Sequence, residues 1–215
     1  MIRTSECYPR NICLLLRSSK HGGAERQALL LARLLKEKTP HSVIVAILDD
    51  SPGRVTEELA SSSIPYFHLR PPSENRLRSF LGALPPLVRF LRHHDVDILL
   101  PYTITPNVLA GLAWRLTYCS TCIWGQRDGG SRHLRLRWTP LERLAAALTP
   151  SFLSNSEHGA QFLTTALRVS PALISVVYNA VAPPTNLDTV MAMRSRDRFT
   201  RSEEHTSELQ SPCNL

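Results

Sequence analysis

Two adjacent glycines follow the first apolar segment of the chain and precede a helical pattern. Gly22 and Gly23 stand between an apolar run at 11–16 and an amphipathic periodicity that begins at Ala24. Glycines at such a place let a ligand approach the backbone closely, and the following helix points free N–H groups and its positive end toward that ligand. The arrangement suits a phosphate group. The spacing matches neither G-x-G-x-x-G nor G-x-x-x-x-G-K-[ST], and a plain turn is the alternative.

Three more polar residues stand next to predicted strand ends. His21, directly before the glycines, can polarise a phosphate or transfer a proton, or it is a solvated loop residue. Arg127 and Asp128 follow a strand pattern at 122–126. A guanidinium suits phosphate because it donates two parallel hydrogen bonds, and a carboxylate accepts hydrogens from sugar hydroxyls. The alternative is an Arg-Asp pair that braces a glycine-rich loop.

Alternating patterns along the chain predict the elements that position these residues. Short apolar runs predict strands, and amphipathic stretches between them predict helices. The strands are expected at 11–16, 42–48, 64–69, 97–100, 122–126, 152–155 and 174–178, and the helices at 24–38, 54–61, 75–94, 106–116, 139–148 and 156–167. Pro85 and Pro86 are expected to kink or split the third helix. The alternation predicts an α/β fold, a doubly wound parallel sheet whose ligands lie at the carboxyl ends of the strands.

Composition excludes several classes of protein. The chain has 215 residues, 43% of them hydrophobic and 20% charged, which is typical of a globular α/β domain and excludes disordered, collagen-like and coiled-coil chains. Five irregularly spaced cysteines indicate reduced thiols rather than a disulfide scaffold. We expect no signal peptide and no transmembrane helix. The net charge of +7 is spread along the chain and favours solubility over nucleic-acid binding.

Two weaker patterns leave alternatives open. Cys119 and Cys122 form a lone C-x-x-C without a second pair, so a metal or redox role is not expected. A group of arginines interleaved with apolar residues either rests on an anionic membrane surface or forms a solvated loop. Its members are Arg132, Arg135, Arg137 and Arg143, with Leu134, Leu136 and Trp138 between them.

The last residues of the chain stand apart from the domain. Residues 201–211 look like the in-frame translation of a common sequencing-library adapter. We therefore interpret 201–215 as a non-native tail and expect the native protein to continue with further sequence.

Three segments in a fixed order carry a family resemblance. Gly22-Gly23-Ala24-Glu25, Ser154-Asn155-Ser156-Glu157 and Val177-Tyr178-Asn179-Ala180-Val181 together resemble the N-terminal domain of GT-B fold glycosyltransferases of family 4. In that family two Rossmann-like domains face each other across a cleft. The resemblance implies that residues 1–182 form the acceptor-side domain and that 183–200 lead toward a C-terminal donor domain. It also implies that Gly22 and Gly23 contact the donor phosphates and that Asn179 is the crossing point between domains.

The chain departs from the family pattern at two places. Ala180 and Ala182 stand where the crossing segment often has Gly and Asp. Tyr102 and Thr103 follow the fourth strand, where many members carry a His, so no catalytic base is assigned. These two residues are candidate cleft contacts, together with His21, Arg127 and Asp128.

The resemblance implies a function for the whole protein. It is expected to be a retaining glycosyltransferase that moves a sugar from a nucleotide-sugar donor to a glycan or lipid-linked glycan, without a metal or other cofactor. It is expected in the cytoplasm, with peripheral contact at the inner face of the membrane, and without nucleic acid as a partner. A non-catalytic binding module and a GT-B fold epimerase acting on a nucleotide sugar are the alternatives. An oxidoreductase using NAD is disfavoured because the glycine fingerprint is missing.

Overall fold

Seven parallel strands and their connecting helices make up the described part of the chain. The computed structural model describes residues 8–20, 22–49, 53–69, 80, 82–127 and 139–180. The strands are β1 (Asn11–Leu16), β2 (Ser42–Ile47), β3 (Tyr66–His68), β4 (Ile98–Pro101), β5 (Thr121–Gln126), β6 (Ser151–Ser154) and β7 (Ile174–Val176). The helices are α1 (Gly23–Lys38), α2 (Arg54–Ser61), α3 (Leu84–His93), α4 (Ile104–Ala113), α5 (Thr139–Leu148) and α6 (Glu157–Thr165), with 3-10 turns at Trp114–Leu116 and Pro171–Leu173. The predicted doubly wound α/β sheet is confirmed.

The order of the strands defines a point where the winding reverses. The sheet runs β3-β2-β1-β4-β5-β6-β7, and the neighbouring strands are parallel. The chain moves outward from β1 through β2 to β3, then returns to the other side of β1 as β4. In sheets of this kind ligands bind outside the carboxyl ends of the strands at this switch point. The loops after β1 and β4 flank it.

Apolar strands buried on both faces form the core. Side chains on one face of β1, such as Leu14, pack with α1 and α2, whereas Cys13 and Leu15 pack with the layer of α3 and α4. A further cluster around Trp124 and Phe152 joins β5 and β6 to α4, α5 and α6. Burial on both sides explains why these strands are continuous apolar runs without polar alternation.

Three helices differ from their predicted bounds. The helix expected at 75–94 is described as α3, which begins at Leu84; Pro85 and Pro86 lie in its first turn. Phe80 and Gly82 are also helical and Ala83 is a turn, so the predicted helix is split directly before the two prolines, as expected. The prolines then lie in the first turn of α3, where no N–H donors are needed from them. Likewise, α4 begins at Ile104 and not at Pro106, which lies in its first turn. The last helix ends at Thr165, two residues before the predicted end.

The edge strands are shorter than predicted. The third strand was expected at 64–69 and covers Tyr66–His68, and the seventh was expected at 174–178 and ends at Val176. Each pairs on one side only, so its length is set by a single neighbour. The chain divides into two units, Met1–Asn179 and Ala180–Leu215, and the sheet belongs to the first.

Candidate functional site

The carboxyl end of β4 places Tyr102 between two neighbouring strands. Its N–H donates to Leu15 O of β1 over 2.9 Å, and it forms a parallel bridge with Gly125 of β5. Only 2% of Tyr102 is exposed, and burial raises the pKa of its hydroxyl although Arg127 acts in the opposite direction. The guanidinium of Arg127 lies over the tyrosine ring, 4.7 Å from its centroid. Tyr102 therefore serves as a neutral platform that orients an arginine.

Thr103 adopts a backbone conformation that is rare outside glycine. Its φ is 67° and its ψ is 168°, at the residue that precedes α4. Its Oγ1 is buried and has no hydrogen-bond partner in the described part of the chain. Backbone strain and unsatisfied polar atoms both concentrate at functional sites. Thr103 therefore combines two signals of a ligand site at the switch point.

Arg127 follows the carboxyl end of β5, and Thr103 lies after the carboxyl end of the neighbouring strand β4. Its Nε is likewise buried, and no partner for it lies among the described residues. Its carbonyl accepts a hydrogen bond from Asn155 Nδ2 over 3.3 Å, which fixes the backbone after β5. A fixed cation with unused donor capacity is suited to an anionic or hydroxyl-rich ligand.

A buried asparagine holds the end of β5 in place. Asn107 of α4 donates from Nδ2 to Gly125 O over 3.0 Å and accepts at Oδ1 from Gly125 N over 3.1 Å. A Cβ at residue 125 would lie 2.5 Å from Pro101 O, so only glycine allows this approach of β4 and β5. The sequence analysis missed the role of Asn107, although a lone amide within an apolar helix is a recognisable signal.

The two glycines after β1 open helix α1. Gly22 precedes the helix in an extended conformation, with φ of −115°, and Gly23 is its first residue. Neither has a left-handed φ, and a Cβ at Gly23 would meet nothing within 4 Å. The backbone itself thus does not require glycine at residue 23. Beside Gly22 lies the carboxylate of Glu25, which turns back toward it.

Residues of the next loop brace the glycine loop. Ser19 is buried; its N–H donates to Asp49 Oδ1 over 3.2 Å, and its carbonyl accepts from Val55 N over 3.2 Å. Gly53 lies against the Ser19 carbonyl so closely that a Cβ there would overlap it. Asp49 and Gly53 therefore position the loop before α1. Neither residue was among the site residues expected from the sequence.

Ser156 caps the N terminus of α6. Ser156 Oγ accepts from Gly159 N over 3.1 Å, and Ser154 Oγ donates to Ser156 O over 2.7 Å. A Cβ at Gly159 would lie 2.5 Å from Ser154 Oγ, so the glycine lets the helix end approach β6. These contacts give the segment a structural role.

The remaining predicted residues are not brought into this cluster. Asn179 is exposed and ends the first unit of the chain. His21 and Asp128 lie outside the described residues, as do Arg132, Arg135 and Arg137.

No metal centre or membrane span occurs in the described part. No group of three His, Cys, Asp or Glu side chains there is arranged to hold a metal ion. Cys119 and Cys122 are free thiols, and burial raises the pKa of both, which makes them unreactive. None of the described helices has the length and apolar character that crossing a bilayer requires.

A parallel sheet whose winding reverses between β1 and β4, with helices on both faces, defines a doubly wound α/β domain. The chain belongs to glycosyltransferase family 4, whose model matches residues 21–183. No curated protein matches it.

Solved structures share the fold at low sequence identity. The Anabaena protein Alr3699/HepE, in complex with UDP and glucose, is 18% identical with a TM-score of 0.67, and the match covers 87% of this chain and 50% of that one. The lipopolysaccharide outer core galactosyltransferase WaaB in its apo form is 15% identical with a TM-score of 0.64, over 81% of this chain and 47% of that one. The UDP-GlcNAc 2-epimerase from Neisseria meningitidis, bound to UDP-GlcNAc, is 13% identical with a TM-score of 0.59, over 92% of this chain and 53% of that one. The chain thus spans about half the length of these structures.

Proposed function

We propose that the whole protein transfers a sugar from a nucleotide-sugar donor to a hydroxyl of a glycan or lipid-linked glycan, in the biosynthesis of polysaccharides or glycoconjugates. Residues 1–182 are the acceptor-side domain, 183–200 lead to a donor domain, and 201–215 are not part of the native protein. Family membership supports the transferase class. The fold shared with a UDP-bound protein and with a lipopolysaccharide galactosyltransferase supports the nucleotide sugar and the glycan acceptor.

The donor phosphates lie at the start of α1. The observation that carries this assignment is Gly23, a helix-opening glycine whose backbone does not require it and whose missing side chain leaves open space. Free N–H groups of the first helical turn and the positive end of the helix stabilise the departing nucleotide diphosphate. They supply part of the stabilisation, and the donor domain supplies the rest. The reaction retains the anomeric configuration and uses no cofactor beyond the nucleotide sugar.

The acceptor contacts lie after β4 and β5. Arg127, held over the ring of Tyr102, and the Oγ1 of Thr103 have polar atoms without a partner among the described residues. A guanidinium and a hydroxyl can bind the hydroxyls or the phosphate of an acceptor. His21 and Asp128 are two further acceptor contacts, proposed from the sequence alone. Asn179 is proposed as the residue at which the chain crosses between the two domains.

Replacement of Gly23 by Val tests the donor assignment. In the enzyme with its donor domain, Gly23→Val is expected to lower the rate of sugar transfer at least tenfold, an effect of about 1.4 kcal/mol, because the side chain fills the space of a phosphate. Stability should change little, since a Cβ at this residue meets no protein atom within 4 Å.

The matched control is Arg54→Val. It places the same side chain at the first residue of α2, which also follows a glycine. Transfer by this variant should stay within about twofold of wild type. Unchanged turnover of Gly23→Val would remove the glycine loop from the donor site.

An epimerase is the second candidate, favoured by the match of 92% of this chain to a UDP-GlcNAc 2-epimerase. Incubation of the two-domain protein with a nucleotide sugar and no acceptor distinguishes an epimerase from a transferase. Epimerisation would change the configuration of the sugar still attached to the nucleotide, whereas a transferase would leave that sugar unchanged. A non-catalytic binding module would bind the nucleotide sugar and do neither reaction.

The protein acts in the cytoplasm and contacts the inner face of the membrane peripherally. A lipid-linked acceptor would require such contact.

A further inference from the structure

Glu142 is a buried acid in the first turn of α5. Only 5% of the residue is exposed, and its Oε2 is enclosed without a hydrogen-bond partner in the described part of the chain. A carboxylate that leaves water without gaining a partner lowers the stability of the fold. An acid that only complements the positive end of a helix has no need of burial. The burial of Glu142 therefore calls for another explanation.

The face of α5 that carries Glu142 packs against α4. Glu142 shares this face with the buried Ala145 and Thr149, whereas the neighbouring Arg143 is exposed. Ala145 O and Thr149 Oγ1 lie against Gly111 of α4, where an added Cβ would be 2.6 and 2.9 Å from them. Glu142 is one turn nearer the start of α5, and helical side chains lean toward the helix start. Because α5 follows β5, its carboxyl group points toward the carboxyl ends of the strands.

Helix α4 offers this carboxyl group no charged partner. Its residues, 104–113, include no acidic or basic side chain, and the amide of Asn107 already binds Gly125 through both of its ends. The ion pairs among the described residues do not involve Glu142. Burial raises the pKa of the Glu142 carboxyl. The described part of the fold therefore leaves its negative charge uncompensated.

Three enclosed polar atoms of the described residues lack a hydrogen-bond partner, and all three belong to the same end of the sheet. They are Thr103 Oγ1 after β4, Arg127 Nε after β5, and Glu142 Oε2 in the first turn of the helix that follows β5. Buried polar groups in folded proteins are paired in the great majority of cases. Unpaired atoms gathered at the end where parallel sheets bind ligands indicate a ligand that they share.

The three groups differ in what they bind. A guanidinium donates hydrogen bonds, a carboxylate accepts them, and a threonine hydroxyl does both. A sugar ring satisfies all three, because each of its hydroxyls both donates and accepts. A phosphate group would suit Arg127, but Glu142 would repel it. A carboxylate at this place therefore favours the sugar part of an acceptor over a phosphate.

We propose that Glu142 is a specificity-determining residue of the acceptor site and accepts a hydrogen bond from a hydroxyl of the acceptor's sugar ring. The hydroxyl that it binds is not the one that reacts. The inference rests on the acceptor site of the proposed function and names the part of the acceptor that this site selects.

Ligand-observed NMR with this chain tests the proposal without sugar transfer. The probes are the methyl glycosides of glucose, galactose, mannose and N-acetylglucosamine, with inorganic phosphate as a second kind of probe. Wild type is expected to bind at least one glycoside at neutral pH. Glu142→Gln should bind that glycoside about tenfold more weakly, because a hydrogen bond to a carboxylate is about twice as strong as one to an amide. Phosphate should bind this variant no more weakly than wild type, since a negative charge is removed.

The matched control is Glu57→Gln. It removes the same charge from the first turn of α2, where the side chain is exposed, and glycoside binding should stay within about twofold of wild type. Glu142→Gln should not lower the melting temperature, because a neutral amide costs less to bury than an unpaired carboxylate. A lower melting temperature with unchanged glycoside binding would overturn the proposal in favour of a role in the helix dipole. Wild type that binds none of the glycosides would overturn it as well.

Donor hydrolysis separates this proposal from the proposed function. In the two-domain enzyme, Glu142→Gln should raise the KM for the acceptor about tenfold and leave the hydrolysis of the nucleotide sugar by water unchanged, because water needs no acceptor site. Equal loss of transfer and hydrolysis would place Glu142 at the donor and overturn the proposal. If wild type does neither reaction, the proposed function fails, while glycoside binding still decides the role of Glu142.

Discussion

Thr103 carries two costs at a single residue. Its φ of 67° and ψ of 168° place a β-branched residue where glycine is nearly the sole occupant, at a cost of about 1–3 kcal/mol. Its buried Oγ1, without a partner among the described residues, adds about 1–3 kcal/mol. Costs of this kind persist at sites where the strained group is used, since stability is often given up for function. Thr103 therefore fits the acceptor contacts better than a purely structural role.

Thr103→Gly is expected to make the protein more stable and less active. Glycine relieves the strained backbone, so the free energy of unfolding should rise by about 1 kcal/mol in urea denaturation. Loss of the hydroxyl should lower transfer by the two-domain enzyme about tenfold. Thr103→Ala is the control: it removes the buried hydroxyl but keeps the strained backbone, so activity should fall as in the glycine variant while stability rises by less. A less stable glycine variant, or one with full activity, would contradict the assignment.

Among the elements, helix α4 determines where the site residues lie. Thr103 precedes its first turn, Asn107 holds Gly125 by two hydrogen bonds, and Gly111 packs against α5. The helix thus connects the ends of β4 and β5 with the helix layer behind them. A shift of α4 would move Thr103 and Arg127 together.

Gly111→Ala is expected to lower the free energy of unfolding by about 1–3 kcal/mol. A Cβ at this residue would lie 2.6 Å from Ala145 O and 2.9 Å from Thr149 Oγ1, so α4 and α5 would have to separate. Gly23→Ala is the matched control, because the added methyl group meets open space at the start of α1. Chemical denaturation should show no loss for this variant and a gain of up to about 1 kcal/mol, from the higher helix propensity of alanine. Equal stability of the two variants would refute close packing at Gly111.

The same elements show what sequence could predict. The buried strands β1 and β2 are continuous apolar runs, so their positions and the α/β fold class were predictable, as was the Ser156 cap. The start of α3 was not predictable, because a pair of prolines can end a helix as well as begin one. The start of α4 was missed because it depends on the unusual backbone of Thr103.

The candidate site was predictable only in part. Position after a strand indicated Gly22, Gly23 and Arg127. The pairing of Asn107 with Gly125, or of Ser19 with Asp49, joins residues 18 and 30 positions apart and leaves no local pattern.

Across the whole sheet, the carboxyl ends of the strands carry polar groups that have no hydrogen-bond partner among the described residues. The glycine-led helix and the pair of Thr103 and Arg127 lie at the carboxyl ends of the strands, and the chain spans about half the length of the solved structures that share its fold. A helix N terminus contributes only a fraction of the stabilisation that a diphosphate requires. In the proposed function, the other contacts come from a facing donor domain.

Donor binding should therefore depend on a second domain. By isothermal titration calorimetry, UDP is expected to bind this chain alone at least 100-fold more weakly than a protein in which a donor domain follows it, a difference of about 2.7 kcal/mol. Only the longer protein should transfer sugar, because the leaving diphosphate is neutralised from both sides of the cleft. Gly23→Val in the longer protein separates the contributions, since it should weaken UDP binding without abolishing it. Equal affinity of the two proteins for UDP would place the whole donor site within the sheet described here.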